Sequence, residues 1–204
     1  MEAESLVDRI ICDSCGLNQP SSKVVVSRGN PCARLMLIGE APGASEDASG
    51  EPFVGRSGKL LDQLCIEVGI NPSEDVYICN AVKCRPPKNR RPSKKELLSS
   101  LPWLSQQIKL VDPLIILLSG STAVEAVLGI KDKISTIRGV WKPWQGRMVM
   151  PLFHPSYLLR NPSRVEGAPI VLTLGDLERV KQRLKELKEA MAVSTLITEK
   201  GCNL

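Results

Sequence analysis

Four short apolar segments, separated by amphipathic helical patterns, constrain the fold of this chain more than any other feature. The apolar segments are Leu35–Gly39, Val76–Val82, Leu114–Ser119 and Met148–Phe153. The helical patterns are Gly58–Val68, Ser93–Ile108, Thr122–Leu128 and Leu174–Met191. Strands that alternate with helices form parallel sheets through right-handed crossovers, and strands buried on both faces are apolar throughout. The sequence therefore predicts an α/β fold with three α/β/α layers around a central four-stranded, mostly parallel sheet.

The predicted topology also indicates where a ligand would bind. In open parallel sheets the carboxyl ends of the strands meet at one edge, and ligands bind there. Glu40, Asn80, Gly120 and His154 each lie at or just after the end of a predicted strand, so we expect them to converge. His154 is the only histidine of the chain, which excludes any site that needs two imidazoles. Taken alone, a single histidine is more often a hydrogen-bonded structural residue than a catalytic one.

Length and charge favour one soluble domain with a polyanionic partner. The 204 residues suffice for a domain with its own core, which we expect over residues 1–191, followed by a C-terminal tail over 192–204 that has no clear pattern. The net charge is +5. Between residues 83 and 95 the chain has no acidic residue and seven basic ones, namely Lys83, Arg85, Lys88, Arg90, Arg91, Lys94 and Lys95. Such a cluster is typical of a nucleic-acid contact, although a solvated basic loop is the alternative.

The sequence shows no membrane segment and uses its cysteines as free thiols or ligands. No apolar run reaches the roughly 18 residues of a membrane span, and the first residues lack a signal-peptide pattern, so we expect a cytoplasmic protein. The seven cysteines are an odd number, which indicates reduced thiols or metal ligands and not a disulfide framework. Cys12 and Cys15 have the spacing of a metal or cluster half-site, whereas Cys65 and Cys79 are expected to pack in the core.

Two residue types near the strand ends suit the binding of a nucleobase. Several glycines follow the first strand, and their spacing matches neither the dinucleotide fingerprint nor the P-loop. Phe53, one of only two phenylalanines, lies among glycines and prolines, where it is poorly placed to fill a core and suited to stack on a base. Asn80 offers a donor and an acceptor that can pair with a base edge, although an asparagine that caps a strand end is about as common.

Four segments, in order, resemble the signature segments of the family-4 uracil-DNA glycosylases, which are iron–sulfur enzymes. They are Gly39-Glu40-Ala41-Pro42-Gly43, Phe53-Val54-Gly55, Asn80 through Pro87, and His154 through Arg160. The resemblance runs from about residue 12 to residue 187. It implies the uracil-DNA glycosylase fold and a monomeric enzyme that excises uracil from double- or single-stranded DNA. The alternative is a non-catalytic DNA-binding module of the same fold that acts with a polymerase or repair partner.

The resemblance implies a role for each pocket residue. Uracil flipped out of the DNA would stack on Phe53, and Asn80 would bind its edge and disfavour cytosine. Glu46 would crowd the C5 position and exclude the methyl group of thymine. Gly39 and Ala41 would complete the uracil site, and Ala41 stands where better-known uracil glycosylases have a water-positioning carboxylate.

The resemblance also implies the catalytic and DNA-binding residues. His154 would stabilise the negative charge that develops on uracil O2, and Glu40 would orient the attacking water. The segment 154–160 would enter the minor groove, where apolar side chains wedge between bases. The residues expected to contact DNA are Arg85, Arg90, Arg91, Ser156, Leu158, Leu159 and Arg160.

A 4Fe-4S cluster is implied as well, but one ligand is missing. Cys12, Cys15 and Cys84 correspond to three of the family's cysteines, and the fourth, sixteen residues after the third, is replaced by Ser100. Ser is a poor substitute for a thiolate at iron. Three possibilities stay open. The cluster could have Ser100 or an exogenous group at the fourth iron, or lose this iron to become 3Fe-4S. It could be completed by another cysteine, of which Cys32 and Cys202 are the least committed to core strands, or it could be absent.

Overall fold

A six-stranded sheet forms the centre of the described structure. The computed structural model describes residue 17 and residues 23–201, with side chains to residue 192. The strands are β1 Arg28–Gly29, β2 Leu35–Gly39, β3 Val76–Asn80, β4 Ile115–Ser119, β5 Lys142–Trp144 and β6 Arg147–Leu152. Their order is β1-β3-β2-β4-β6-β5. The four central strands are parallel, as predicted. The two edge strands are antiparallel and were not predicted, because two or three residues are too few to show a periodic pattern.

Alternate residues of the central strands face two separate cores. Leu35 and Leu37 belong to one apolar cluster, and Met36 and Ile38 belong to the other. This division follows from the two-residue period of a strand. Since both faces are covered, every residue of β2, β3 and β4 is buried, which explains the continuous apolar runs in the sequence.

Helices cover both faces of this sheet. They are α1 Ala44–Ser49, α2 Arg56–Glu67, α3 Lys94–Val111, α4 Ser121–Leu128, α5 Ile134–Ile137, α6 Pro155–Arg160 and α7 Pro169–Gly201, with a 3-10 turn at Pro87–Asn89. Apolar side chains of α3 and α4 pack on one face, and those of α2 and α7 pack on the other. The predicted three-layer α/β/α arrangement is confirmed.

The last helix is longer than its apolar pattern. The pattern predicts a helix over Leu174–Met191, whereas α7 begins at Pro169 and its backbone continues to Gly201. Helix propagation needs far less stabilisation than nucleation, so an established helix can extend beyond its packed stripe. Residues 202–204 lie outside the described part. None of the described helices is both long and apolar enough to cross a membrane.

Candidate active site

A cavity of about 530 Å³ opens at the carboxyl edge of the sheet. Glu40 follows β2, Asn80 ends β3, Gly120 follows β4 and His154 follows β6, and all four line this cavity. The predicted convergence is confirmed. Predicted site residues from other segments also line it, namely Ala41, Glu46, Phe53, Arg90, Ser156 and Arg160.

His154 is held in one orientation by the start of α6. It is the N-cap residue of this helix, and its Nδ1 accepts a hydrogen bond from the Ser156 backbone N–H at 3.2 Å. The Ser156 hydroxyl lies 2.8 Å from the same nitrogen. Because Nδ1 uses its lone pair to accept the backbone N–H, the neutral ring carries its proton on Nε2. No described residue accepts a hydrogen bond from Nε2, so His154 presents a neutral N–H donor at the cavity.

The surroundings keep this imidazole uncharged at neutral pH. Burial lowers the pKa of His154 from 6.5 to about 4, because the charged form loses hydration. The positive charge of Arg160 acts in the same direction, and the carboxylate of Glu46 opposes both. The neutral ring still carries one N–H, so it can donate a hydrogen bond to a developing anion.

Phe53 lies opposite His154 in a strained backbone conformation. The ring centroids are 6.2 Å apart at an interplanar angle of 35°, and the φ angle of Phe53 is +57°, a value uncommon outside glycine. Phe53 also packs with the apolar cluster beneath it, so the expectation that it is poorly placed to fill the core is wrong. One side of the ring fills the core, and the residue still lines the cavity.

Gly39 makes room for this arrangement. A Cβ atom at position 39 would lie 2.4 Å from both the Phe53 ring and the Asn80 side-chain oxygen. No larger residue fits there unless Phe53 or Asn80 moves. Gly39 therefore acts by its lack of a side chain, because the Phe53 ring and the Asn80 carboxamide share the space above it.

Glu46 connects the loop that follows Gly39 to the loop that carries Phe53. One carboxylate oxygen accepts hydrogen bonds from the backbone N–H groups of Val54 and Gly55, at 3.1 and 2.8 Å, and the other accepts from Gly43 N–H at 3.1 Å. Hydrogen bonds to a carboxylate are among the stronger ones in proteins. Two of these bonds fix the backbone that follows Phe53, and the third fixes the turn before α1. This contact was not predicted, since the sequence gives no sign of which buried donors a glutamate will meet.

Asn80 is anchored through its backbone by a buried lysine. Its side chain lines the cavity although the residue is only 3% exposed, and its carbonyl accepts a hydrogen bond from Lys83 Nζ at 2.5 Å. Lys83 also donates to Gln107 Oε1, which lies on α3. Lys83 is 0% exposed, so its inclusion in the predicted basic cluster is wrong, and it belongs to the core.

Comparison with known proteins agrees with this geometry. The family model of the uracil DNA glycosylase superfamily matches residues 26–185. The chain belongs to this superfamily. It is 45% identical to the type-4 uracil-DNA glycosylase of Thermotoga maritima, over 86% of this chain and 90% of the relative. It is 38% identical to that of Saccharolobus solfataricus, over 85% and 82% of the two chains. It is 37% identical to that of Pyrobaculum aerophilum, over 74% and 81%.

The basic segment of this superfamily member is less positive than its sequence indicates. Arg90 forms two hydrogen bonds with Glu96, at 2.8 and 2.6 Å, and Arg91 pairs with Glu125 at 2.7 Å. The Arg90 contact lowers the pKa of Glu96 to about 2. Arg85 lies 3.7 Å from a carboxylate oxygen of Asp47. The sequence of residues 83–95 contains no acid, but in the folded chain its arginines pair with acids outside this range, namely Asp47, Glu96 and Glu125.

The helix α6 places only part of the predicted DNA wedge on the surface. Leu158 is 0% exposed and packs in the core cluster that contains Leu61 of α2. The prediction that Leu158 inserts into DNA is contradicted, since this side chain would first have to leave the core. Leu159 is half-buried, while Tyr157 and Arg160 are exposed. The sequence of residues 154–160 alone did not reveal the helix α6, and the turn of this helix decides which of these side chains face outward.

The residues predicted to hold a cluster are only partly described. Cys12 and Cys15 lie outside the described residues. Cys84 is fully buried, in the same apolar cluster as Leu17 and Leu97. Ser100 is 1% exposed, and its hydroxyl has no hydrogen-bond partner among the described residues. The predictions that Ser100 faces inward and that Cys65 and Cys79 are buried are confirmed.

Proposed function

We propose that this protein hydrolyses the N-glycosidic bond of deoxyuridine in DNA, which releases uracil and leaves an abasic site. The observation that carries the proposal is the neutral N–H donor of His154 facing the Phe53 ring across a cavity that also contains Asn80. A single deoxyuridine flipped out of the duplex would place its base in this cavity.

Base recognition follows from the shape and polarity of the cavity. Phe53 stacks on the pyrimidine, and the Asn80 carboxamide pairs with the uracil edge. Cytosine reverses the donor and acceptor at that edge, so it leaves buried groups unpaired. Glu46 also lines the cavity, and we propose that it crowds the position that carries the thymine methyl group, while Gly39 and Ala41 leave room for the base.

The reaction breaks the bond between sugar C1′ and base N1. The electron pair leaves with uracil, and the negative charge spreads to O2, where the His154 Nε2–H stabilises it. One such donor is worth about 3–4 kcal/mol in comparable sites. The oxygen of water bonds to C1′, and the water gives up one proton, which Glu40 accepts. Ala41 cannot act as a base.

Glu40 and His154 make separable contributions, which substitutions distinguish. Glu40→Gln keeps the shape of the side chain and removes its basicity, so the single-turnover rate should fall while DNA binding is kept. Full excision by Glu40→Gln would contradict the role of an ionised Glu40. His154→Ala removes the O2 donor and should reduce the rate by about a hundredfold or more.

The DNA backbone contacts the basic segment and the exposed face of α6. The phosphate-binding residues are Arg85, Arg90, Arg91 and Arg160, and Ser156 and Leu159 face the minor groove. Replacing Arg90 and Arg91 with Ala should weaken binding to all sequences alike and reduce the salt slope by about one for each phosphate that the variant no longer binds. An unchanged slope would remove this segment from the DNA surface.

An iron–sulfur cluster fits the residues around Cys84. Cys84 is fully buried, and the buried Ser100 hydroxyl has no hydrogen-bond partner among the described residues. Leu97, three residues before Ser100 on α3, and Leu17, two residues after Cys15, pack in the same apolar cluster as Cys84. Cys12, Cys15 and Cys84 would hold a 4Fe-4S or 3Fe-4S cluster, with Ser100 at the fourth position. When bound, the cluster would tie the N-terminal segment to the basic segment.

Metal analysis tests this assignment independently of activity. We expect visible absorbance with iron and acid-labile sulfide, and a Ser100→Cys variant should raise the iron content per chain towards four. Cys32→Ser is the matched control, because Cys32 is exposed and its loss should leave the cluster unchanged. A colourless, metal-free yet folded protein would refute the cluster. Loss of the cluster in Cys32→Ser or Cys202→Ser would make that cysteine the fourth ligand.

The deciding experiment is excision of uracil from an oligonucleotide, single- and double-stranded, with alkaline cleavage of the abasic product. Cluster-replete protein that yields no product under single-turnover conditions would refute the enzyme and favour the non-catalytic module.

The four described cysteines are free thiols and form no disulfide, which suits a reducing compartment such as the cytoplasm.

A further inference from the structure

Glu40 has a buried hydrogen-bond partner in the first turn of α4, the helix that follows the neighbouring strand β4. The hydroxyl of Thr122 donates to Glu40 Oε2 at 2.5 Å. Thr122 is 1% exposed, so its hydroxyl is shielded from water. No described residue donates a hydrogen bond to the other carboxylate oxygen, Oε1. The contact joins the ends of β2 and β4, two adjacent parallel strands.

The turn before α4 determines where this hydroxyl lies. Gly120 has φ +93°, a conformation that strongly favours glycine, and its N–H donates to Leu152 O at 2.9 Å. A Cβ atom on Gly120 would lie 3.1 Å from the Cβ of His154. The same turn therefore brings the start of α4 close to His154 and sets Thr122 beside Glu40.

The geometry of this contact leaves one oxygen for chemistry. A hydroxyl that donates to Oε2 restricts the rotation of the carboxylate group, because a hydrogen bond to a charged acceptor is strong and has a preferred geometry. Glu40 lines the cavity, so its second oxygen is available to a water there.

We propose that Thr122 is a positioning residue for uracil excision, whose hydroxyl holds the Glu40 carboxylate in the orientation that directs Oε1 to the attacking water. The inference rests on the proposed function and on the role of Glu40 within it. It adds a residue that contacts neither base nor DNA and acts through Glu40 alone.

Two substitutions separate the hydroxyl from the shape of the side chain. Thr122→Val keeps the volume and removes the hydroxyl, and Thr122→Ser keeps the hydroxyl. We expect Thr122→Val to lower the single-turnover excision rate about tenfold, the typical worth of a hydrogen bond to a charged group. Thr122→Ser should recover most of the rate. The Kd for an oligonucleotide with 2′-fluoro-deoxyuridine, whose glycosidic bond is slow to hydrolyse, should change in neither variant.

A double-mutant cycle with Glu40→Gln decides whether Thr122 acts through Glu40. In the Glu40→Gln background, Thr122→Val should cause little further loss. An equal tenfold loss in both backgrounds, a full rate in Thr122→Val, or a failure of Thr122→Ser to recover the rate would each overturn the proposal. If Thr122→Val lowers the melting temperature, Thr122→Ala repeats the comparison with a smaller side chain.

Failure of the proposal and failure of the proposed function give different results. Wild-type protein without excision activity would refute the function itself. An active wild type with a fully active Glu40→Gln variant would refute the role of Glu40 and, with it, that of Thr122. An active wild type, an impaired Glu40→Gln and an unimpaired Thr122→Val would refute the positioning role alone.

Discussion

His154 should stay neutral well below the pH at which an ordinary histidine becomes charged. Burial and the charge of Arg160 lower its pKa from 6.5 to about 4, a difference that corresponds to about 3 kcal/mol in favour of the neutral form. At about pH 6, an ordinary imidazole is about three quarters protonated, whereas His154 should be about one hundredth protonated. Excision should therefore show no loss near pH 6.5 that arises from His154.

Nuclear magnetic resonance can measure this directly, because the chain has a single histidine. In protein labelled with 15N and 13C, the ring signals report both the titration midpoint and the tautomer. We expect a midpoint near 4 and a proton on Nε2, since Nδ1 accepts from the Ser156 N–H. A midpoint near 6.5, or a proton on Nδ1 in the neutral ring, would refute the reasoning.

Two controls separate the causes of the shift. Arg160→Gln removes the second cause and should raise the midpoint in part, while burial keeps it below 6.5. Protein unfolded in urea should titrate near 6.5. The sign for stability follows from the same pKa: the unfolded chain binds a proton that the folded chain refuses, so the free energy of unfolding should decrease as the pH falls from 6.5 towards 4.

Three further predictions test other contacts of the fold and the site. Leu158→Ala should lower the free energy of unfolding in urea by about 2–5 kcal/mol, as a truncation in the core does, and a surface-like loss below about 1 kcal/mol would restore Leu158 to the DNA wedge. Glu46→Gln should accelerate amide hydrogen exchange at Val54 and reduce excision, because a carboxamide nitrogen cannot accept backbone N–H bonds. Unchanged exchange would contradict the role of the Glu46 carboxylate in holding this backbone. Arg90→Ala should lower the free energy of unfolding slightly at neutral pH, as the removal of an exposed ion-pair partner does, and this difference should vanish as the pH falls from 4.5 towards 2, where the paired Glu96 carboxylate becomes protonated. A difference that persists in acid would mean that the ion pair is not its source.

Part of the site could be predicted from sequence because strand ends are visible in the hydrophobic pattern. The apolar runs locate the carboxyl ends of the strands, and the connection rules of parallel sheets bring those ends together. Asn80 and His154 needed no further information to be placed at one edge. Short elements such as β1, β5 and α6 carry too few residues for a periodic signal. The absence of α6 from the prediction led to the wrong assignment of Leu158.

The sequence by itself determined the layers, the parallel centre of the sheet, and the convergence of Glu40, Asn80 and His154, because these follow from local periodicity and chain connectivity. Only the tertiary structure decided which charges are neutralised. In the basic segment, Glu96 pairs with Arg90 and Glu125 pairs with Arg91. It alone decided that Lys83 is buried and that Thr122 meets Glu40. The physical reason is that hydrogen bonds and ion pairs act over a few ångströms, and residues distant in sequence reach that range only once the chain is folded.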